Sequence, residues 1–94
     1  MKLWGIVRKK QKIVDDAVME FPGGRPQSVE AWEEVLSVVC HKLHLSRPIL
    51  LNKHFEQLTQ FARTAFLPAD FIETVTFDRF EIEIFPEKTQ SPGK

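Results

Sequence analysis

Phe80-Glu81-Ile82-Glu83-Ile84-Phe85 decides the fold of this chain. Apolar Phe80, Ile82 and Ile84 alternate with acidic Glu81 and Glu83, and a period of two marks a β-strand with one face on a core and one in water. Such a strand needs pairing partners and an apolar layer beneath it. Phe85 falls on the opposite parity from Ile82 and Ile84, so it is expected on the other face. Pro86 ends the strand.

Working outward, Leu3 to Val7 reads as a strand, and Ile13 to Phe21 resumes an extended pattern after the basic reversal Arg8-Lys9-Lys10-Gln11-Lys12. Two such runs with a short polar connection predict an antiparallel hairpin. The turn holds no Gly or Asn, so its type stays open. Asp15-Asp16 suits a bulge or a solvent-facing edge better than a regular strand. Pro22-Gly23-Gly24-Arg25-Pro26 then breaks the pattern.

Ser28 is placed to cap a helix whose apolar stripe is Trp32, Val35, Leu36, Val39, Cys40 and Leu43. Leu45-Ser46-Arg47-Pro48 ends it, because the residue before proline avoids the helical region. Asn52 is placed to cap a second helix, with Phe55, Leu58, Phe61, Ala62, Ala65 and Phe66 as its stripe and Pro68 as its stop. Small extra strands are expected at residues 49–51 and 73–76, the first alternatively a buried bridge. The order β-β-α-α-β predicts an α+β fold, a small antiparallel sheet of three to four strands with two helices packed on one face. The Trp32 and Phe61 stripes are expected to rest on Phe80, Ile82 and Ile84. Residues 1–86 read as one α+β domain and residues 87–94 as a flexible C-terminal tail.

The 94 residues leave room for a single core, and 43% hydrophobic with 28% charged residues is an ordinary globular mixture. Thirteen basic residues balance thirteen acidic ones, which argues against a dedicated nucleic-acid binder, whose affinity comes mainly from phosphate neutralisation. The charges are segregated, however. Lys2, Arg8, Lys9, Lys10 and Lys12 crowd the start, while Asp70, Glu73, Asp78, Glu81, Glu83 and Glu87 crowd the far end. Pairing across adjacent strands is the simplest resolution. No run approaches the roughly 20 apolar residues of a membrane span. A lone cysteine, Cys40, fits a reducing compartment, so a cytoplasmic location is expected.

Chemistry has few places to reside. Cys40 and His44 lie four apart, a helical spacing that can bring two ligands or a thiol and an imidazole to one face, although zinc needs three or four ligands. Cys40 also belongs to the apolar stripe, where cysteine acts as a small hydrophobe. Gly23-Gly24-Arg25 lacks the lysine and hydroxyl residue of a phosphate loop. His54 reads as a solvated residue at a helix start, and Asp70, Glu73 and Asp78 as surface acids without calcium-loop spacing.

Met1-Lys2-Leu3-Trp4-Gly5, Leu45-Ser46-Arg47-Pro48-Ile49-Leu50-Leu51, and Asp70-Phe71-Ile72-Glu73 followed by Phe77-Asp78 and the alternating strand resemble a family of small uncharacterised bacterial proteins of about this length. The resemblance implies a free-standing protein and assigns no residue a role. The expectation is therefore a small cytoplasmic protein-interaction or binding module without a cofactor, self-associating through Trp4, Ile6 and Phe85. Its partner is a protein or a second copy, as a homodimer, rather than nucleic acid or membrane. The alternative is a metal- or thiol-dependent activity centred on Cys40 and His44.

Overall fold

The computed structural model describes residues 1–86; the expected tail at 87–94 lies outside them. Its elements are β1 (Lys2–Lys9), β2 (Lys12–Glu20), α1 (Val29–Lys42), α2 (Asn52–Phe61), β3 (Arg63–Phe66) and β4 (Arg79–Ile84), with a 3-10 turn at Pro68–Asp70. The four strands form one antiparallel sheet in the order β2-β1-β4-β3. This is an α+β fold with helices on a small sheet.

The opening strand sits where its pattern put it. Phe80, Ile82 and Ile84 are at most 5% exposed and pair with Val7, Gly5 and Leu3 on one side. These residues share the helix-facing side with Trp32, Leu36, Val39, Cys40 and Leu43 of α1 and with Leu58 of α2. Gly5 is the point of closest approach. A Cβ there would stand 2.9 Å from Val39 Cγ1 and 3.3 Å from Leu43 Cδ1. Gly5→Val is accordingly expected to force α1 off the sheet and lose about 1–3 kcal/mol. A urea midpoint equal to the parent's would show that α1 can lift away freely.

Local chemistry explains most boundaries. Ser28 Oγ accepts from the Ala31 N–H at 3.1 Å, as expected of an N-cap. At the other end of α1 the Leu45 N–H reaches Cys40 O and the His44 N–H reaches His41 O, a Schellman closure. His44 takes the left-handed conformation (φ 58°) usually given to glycine. The hairpin turns through Lys10 and Gln11, both left-handed (φ 53° and 68°), the geometry of a type I′ turn. Neither residue favours it. The Asp78 carboxylate does, accepting the Lys10 N–H at 2.6 Å, while the Asp78 N–H donates to Arg8 O. The register shift between Val7 and Arg8 leaves Val14 as the bulged residue beside Asp15.

Four expectations need correction. The α2 stripe does not run to Phe66: Ala62 adopts φ 62°, the helix stops at Phe61, and the chain reverses directly into β3. Thr64 and Phe66 then point inward (6% and 0% exposed) while Arg63 points out, a period of two. Residues 49–51 and 73–76 form no strand. Phe61 is 65% exposed, since the reversal carries it off the core side, and His54 and Leu58 fill the inner face of α2 instead. The segregated charges pair only in part. Glu81 bridges Arg8 (3.2 Å) and Arg79 (2.6 Å), whereas Glu83 stands opposite Trp4 and Arg63.

Candidate functional site

Cys40 and His44 are not brought together as a site. Cys40 is buried in the core, 2% exposed, and burial pushes its thiol pKa up to about 12, with the nearby Arg47 charge pulling weakly the other way. His44 lies past the last turn of α1, exposed and left-handed, so the four-residue helical spacing does not apply to it. Among the described residues no group of three or more His, Cys, Asp or Glu side chains could hold a metal ion. The Cys40 thiol is expected to resist alkylation in the folded protein at pH 8 and to react fully in denaturant. A folded-state rate near that of a free thiol would place it at the surface.

Of the apolar trio, Trp4 and Phe85 come together. Their rings stack at 6.4 Å, Trp4 Nε1 donates to Asp16 Oδ2 at 2.8 Å, and Lys2 Nζ lies 5.2 Å from the Phe85 ring centre. Ile6 corrects the expectation that it is surface, since it is 1% exposed. It sits on the open face between Asp16 and Glu81, with Trp4 and Arg8 before and after it. Those four side chains are tied to one another or to Arg79, and they enclose it.

A buried histidine beside a partly exposed aspartate went unread in the sequence. His54 is fully buried, against the Phe66 ring at 4.4 Å. Its Nδ1 accepts the Leu51 N–H (3.0 Å), so the imidazole is neutral with its proton on Nε2, which faces Asp70 Oδ2 at 3.6 Å. Asp70 in turn accepts the Leu67 N–H at 2.9 Å. Leu51-Asn52-Lys53-His54 and Leu67-Pro68-Ala69-Asp70 thus repeat one device, a third helical residue accepting from the backbone N–H just before its helix. That spacing was the available signal. Burial lowers the His54 pKa most, Asp70 raises it and Lys53 lowers it further. With Nδ1 held by backbone and Nε2 turned to Asp70, neither nitrogen is available as a general base.

The open site lies at the sheet edge. The Ile84 N–H donates to Ala62 O (2.7 Å), so Thr64 and Phe66 bond across to Ile82 and Phe80, while Arg63 and Ala65 point their backbone groups away from β4. Among the described residues these groups have no backbone or side-chain partner on that side. They open onto a groove of about 850 Å³ walled by Lys53 and Gln57 of α2, with exposed Phe61 and Leu67 at its two ends. Thr64 Oγ1 and Gln57 Oε1, 2.5 Å apart, brace the wall. Sequence reading missed this groove because β3 itself was not foreseen.

The chain matches no protein-family model, no curated protein and no solved structure. No helix among the described residues is long and apolar enough to cross a membrane.

Proposed function

We propose that this protein is an interaction module that takes an extended segment of a protein partner as an added strand along β3. The observation that carries the reading is the backbone of Arg63 and Ala65, unpaired on the outer side among the described residues and facing a groove. An edge strand with free N–H and C=O groups is a template for pairing, and exposed apolar side chains at both ends can select a partner's side chains. A partner residue opposite Arg63 shares its face and is favoured as a carboxylate; one opposite the small Ala65 has room for bulk. The opposite edge, β2, carries its own exposed Ile13, Val14 and Val18.

A panel of displayed ten-residue random peptides tests the reading, with Ala65→Pro as the control. Proline removes the outward N–H without touching the bonds to β4, and edge strands accept it. Selected peptides are expected to bind the parent at least about tenfold more tightly than Ala65→Pro, a loss matching one or two backbone hydrogen bonds. They are also expected to slow hydrogen exchange at Arg63 and Ala65. Peptides indifferent to Ala65→Pro would refute the edge as the binding site.

A further inference from the structure

From the backbone directions of the two sheet edges we infer that the strand received by β3 is β2 of a second copy of this chain, joined head to tail. The inference rests on the edge-binding reading above. The Phe21 N–H donates to Met1 O, so Met19, Ala17 and Asp15 bond to β1, and Asp16, Val18 and Glu20 turn their backbone groups outward. The outward residues of β2 carry their side chains on the open face, the side opposite Gly5 and the helices. Arg63 and Ala65 of β3 do the same, because they pair with Glu83 and Glu81. The two edges therefore present matching hydrogen-bond phases and matching faces.

Charge selects the register and the partner edge. Across one copy the open face runs Val18, Trp4, Glu83, Arg63 in one row, and Glu20 stands opposite Lys2 in another. Setting Arg63 opposite Glu20 of the second copy extends the first row to Glu83, Arg63, Glu20, Lys2, alternating in sign at each step. The same register sets Ala65 opposite Val18 of the second copy, a small residue against a branched one. Two-fold alternatives are poorer. Joining two β2 edges about Val18 opposes Asp16 to Glu20, and joining two β3 edges about Thr64 opposes Arg63 to Ala65, with no carboxylate answering it. The ladder is short, since the Leu67 N–H is already taken by Asp70. Association is weak, and because the contact is heterologous each added copy leaves one free edge of each kind.

Sedimentation velocity over a concentration series tests this with Arg63→Glu and Glu20→Arg, both exposed positions. The parent is expected to grow beyond dimer as concentration rises. Each variant alone is expected to associate roughly tenfold more weakly, since attraction becomes repulsion, and an equal mixture of the two to recover the parent's behaviour. A mixture no stronger than either variant, or a parent that stops at a dimer, overturns the head-to-tail contact. A parent that stays monomeric yet captures peptides through Ala65 overturns the second copy alone. Association unchanged by Ala65→Pro, with no peptide capture, overturns both readings.

Discussion

Replacing Phe80 with alanine is expected to cost about 3–5 kcal/mol, the range for deleting a large buried aromatic. Phe80 is fully buried, stacks on Phe66 at 5.9 Å, and stands between Val7 and Phe66 in the pairing of its neighbours. It also lies under the narrow approach at Gly5, where its Cε1 would be 3.6 Å from an added Cβ. The helix above cannot settle into the gap without breaking the contacts that Gly5 permits, so a cavity remains. A domain of this size holds only about 5–15 kcal/mol in total, and the variant is expected to be partly unfolded near 40 °C. The urea midpoint should fall sharply with little change in slope. Phe61→Ala is the counterpart: at 65% exposure it should shift stability by no more than about 0.5 kcal/mol. A large effect at Phe61 and a small one at Phe80 would reverse the assignment of the core.

His54→Ala carries the second large effect, about 2–4 kcal/mol, from a cavity against Phe66 together with an orphaned Leu51 N–H. It should also change how stability depends on pH. The folded state holds His54 neutral, with its pKa below the ordinary value of 6.5, chiefly through burial. The unfolded chain takes up a proton near 6.5 while the folded chain refuses it, so acidification draws the equilibrium toward unfolding. The stabilisation is complete above 6.5 and is lost as pH falls toward the folded-state pKa. The slope in that window approaches about 1.4 kcal/mol per pH unit. Protonation also puts a hydrogen on Nδ1, which displaces the Leu51 N–H and uncaps α2. Asp70 at Nε2 opposes this lowering and moderates the effect, whereas the adjacent Lys53 adds to it. Stability curves for parent and His54→Ala, measured between pH 7.5 and 5.5 (about one unit either side of the unfolded value), should converge as pH falls. Parallel curves would show that His54 does not titrate between the two states.

Elements with a strong local period were legible from residue order alone. The alternation of Phe80 to Ile84 and the Trp32-to-Leu43 stripe each reflect a face that must be buried, and Ser28 caps where its hydroxyl can reach. What escaped was decided by contacts distant in sequence. Ala62 turns left-handed without any glycine signal, so Ala65 and Phe66 read as more helix when they are strand. The type I′ turn at Lys10-Gln11 depends on Asp78, far along the chain. Ile6 looks exposed by parity, and the tying of Trp4 to Asp16 and of Arg8 and Arg79 to Glu81 encloses it. His54 looks like a surface residue because a polar side chain at a helix start usually is one; its burial follows from a second half-cap at Asp70 that meets it. The groove was invisible for the same reason as β3, whose outward face is what opens it.

The strand order β2-β1-β4-β3 places β1 and β4 side by side in the middle of the sheet, although Leu3 and Ile84 lie at opposite ends of the described chain. During synthesis the hairpin and both helices leave the ribosome well before β4 does. Until then the inner edge of β1 has no neighbour, and Val7, Leu3 and the α1 stripe have no floor. Contacts of such long sequence separation slow folding, because loop closure must precede the gain. Until β4 enters between β1 and β3, the β1–β2 hairpin keeps one edge open and the core stays incomplete.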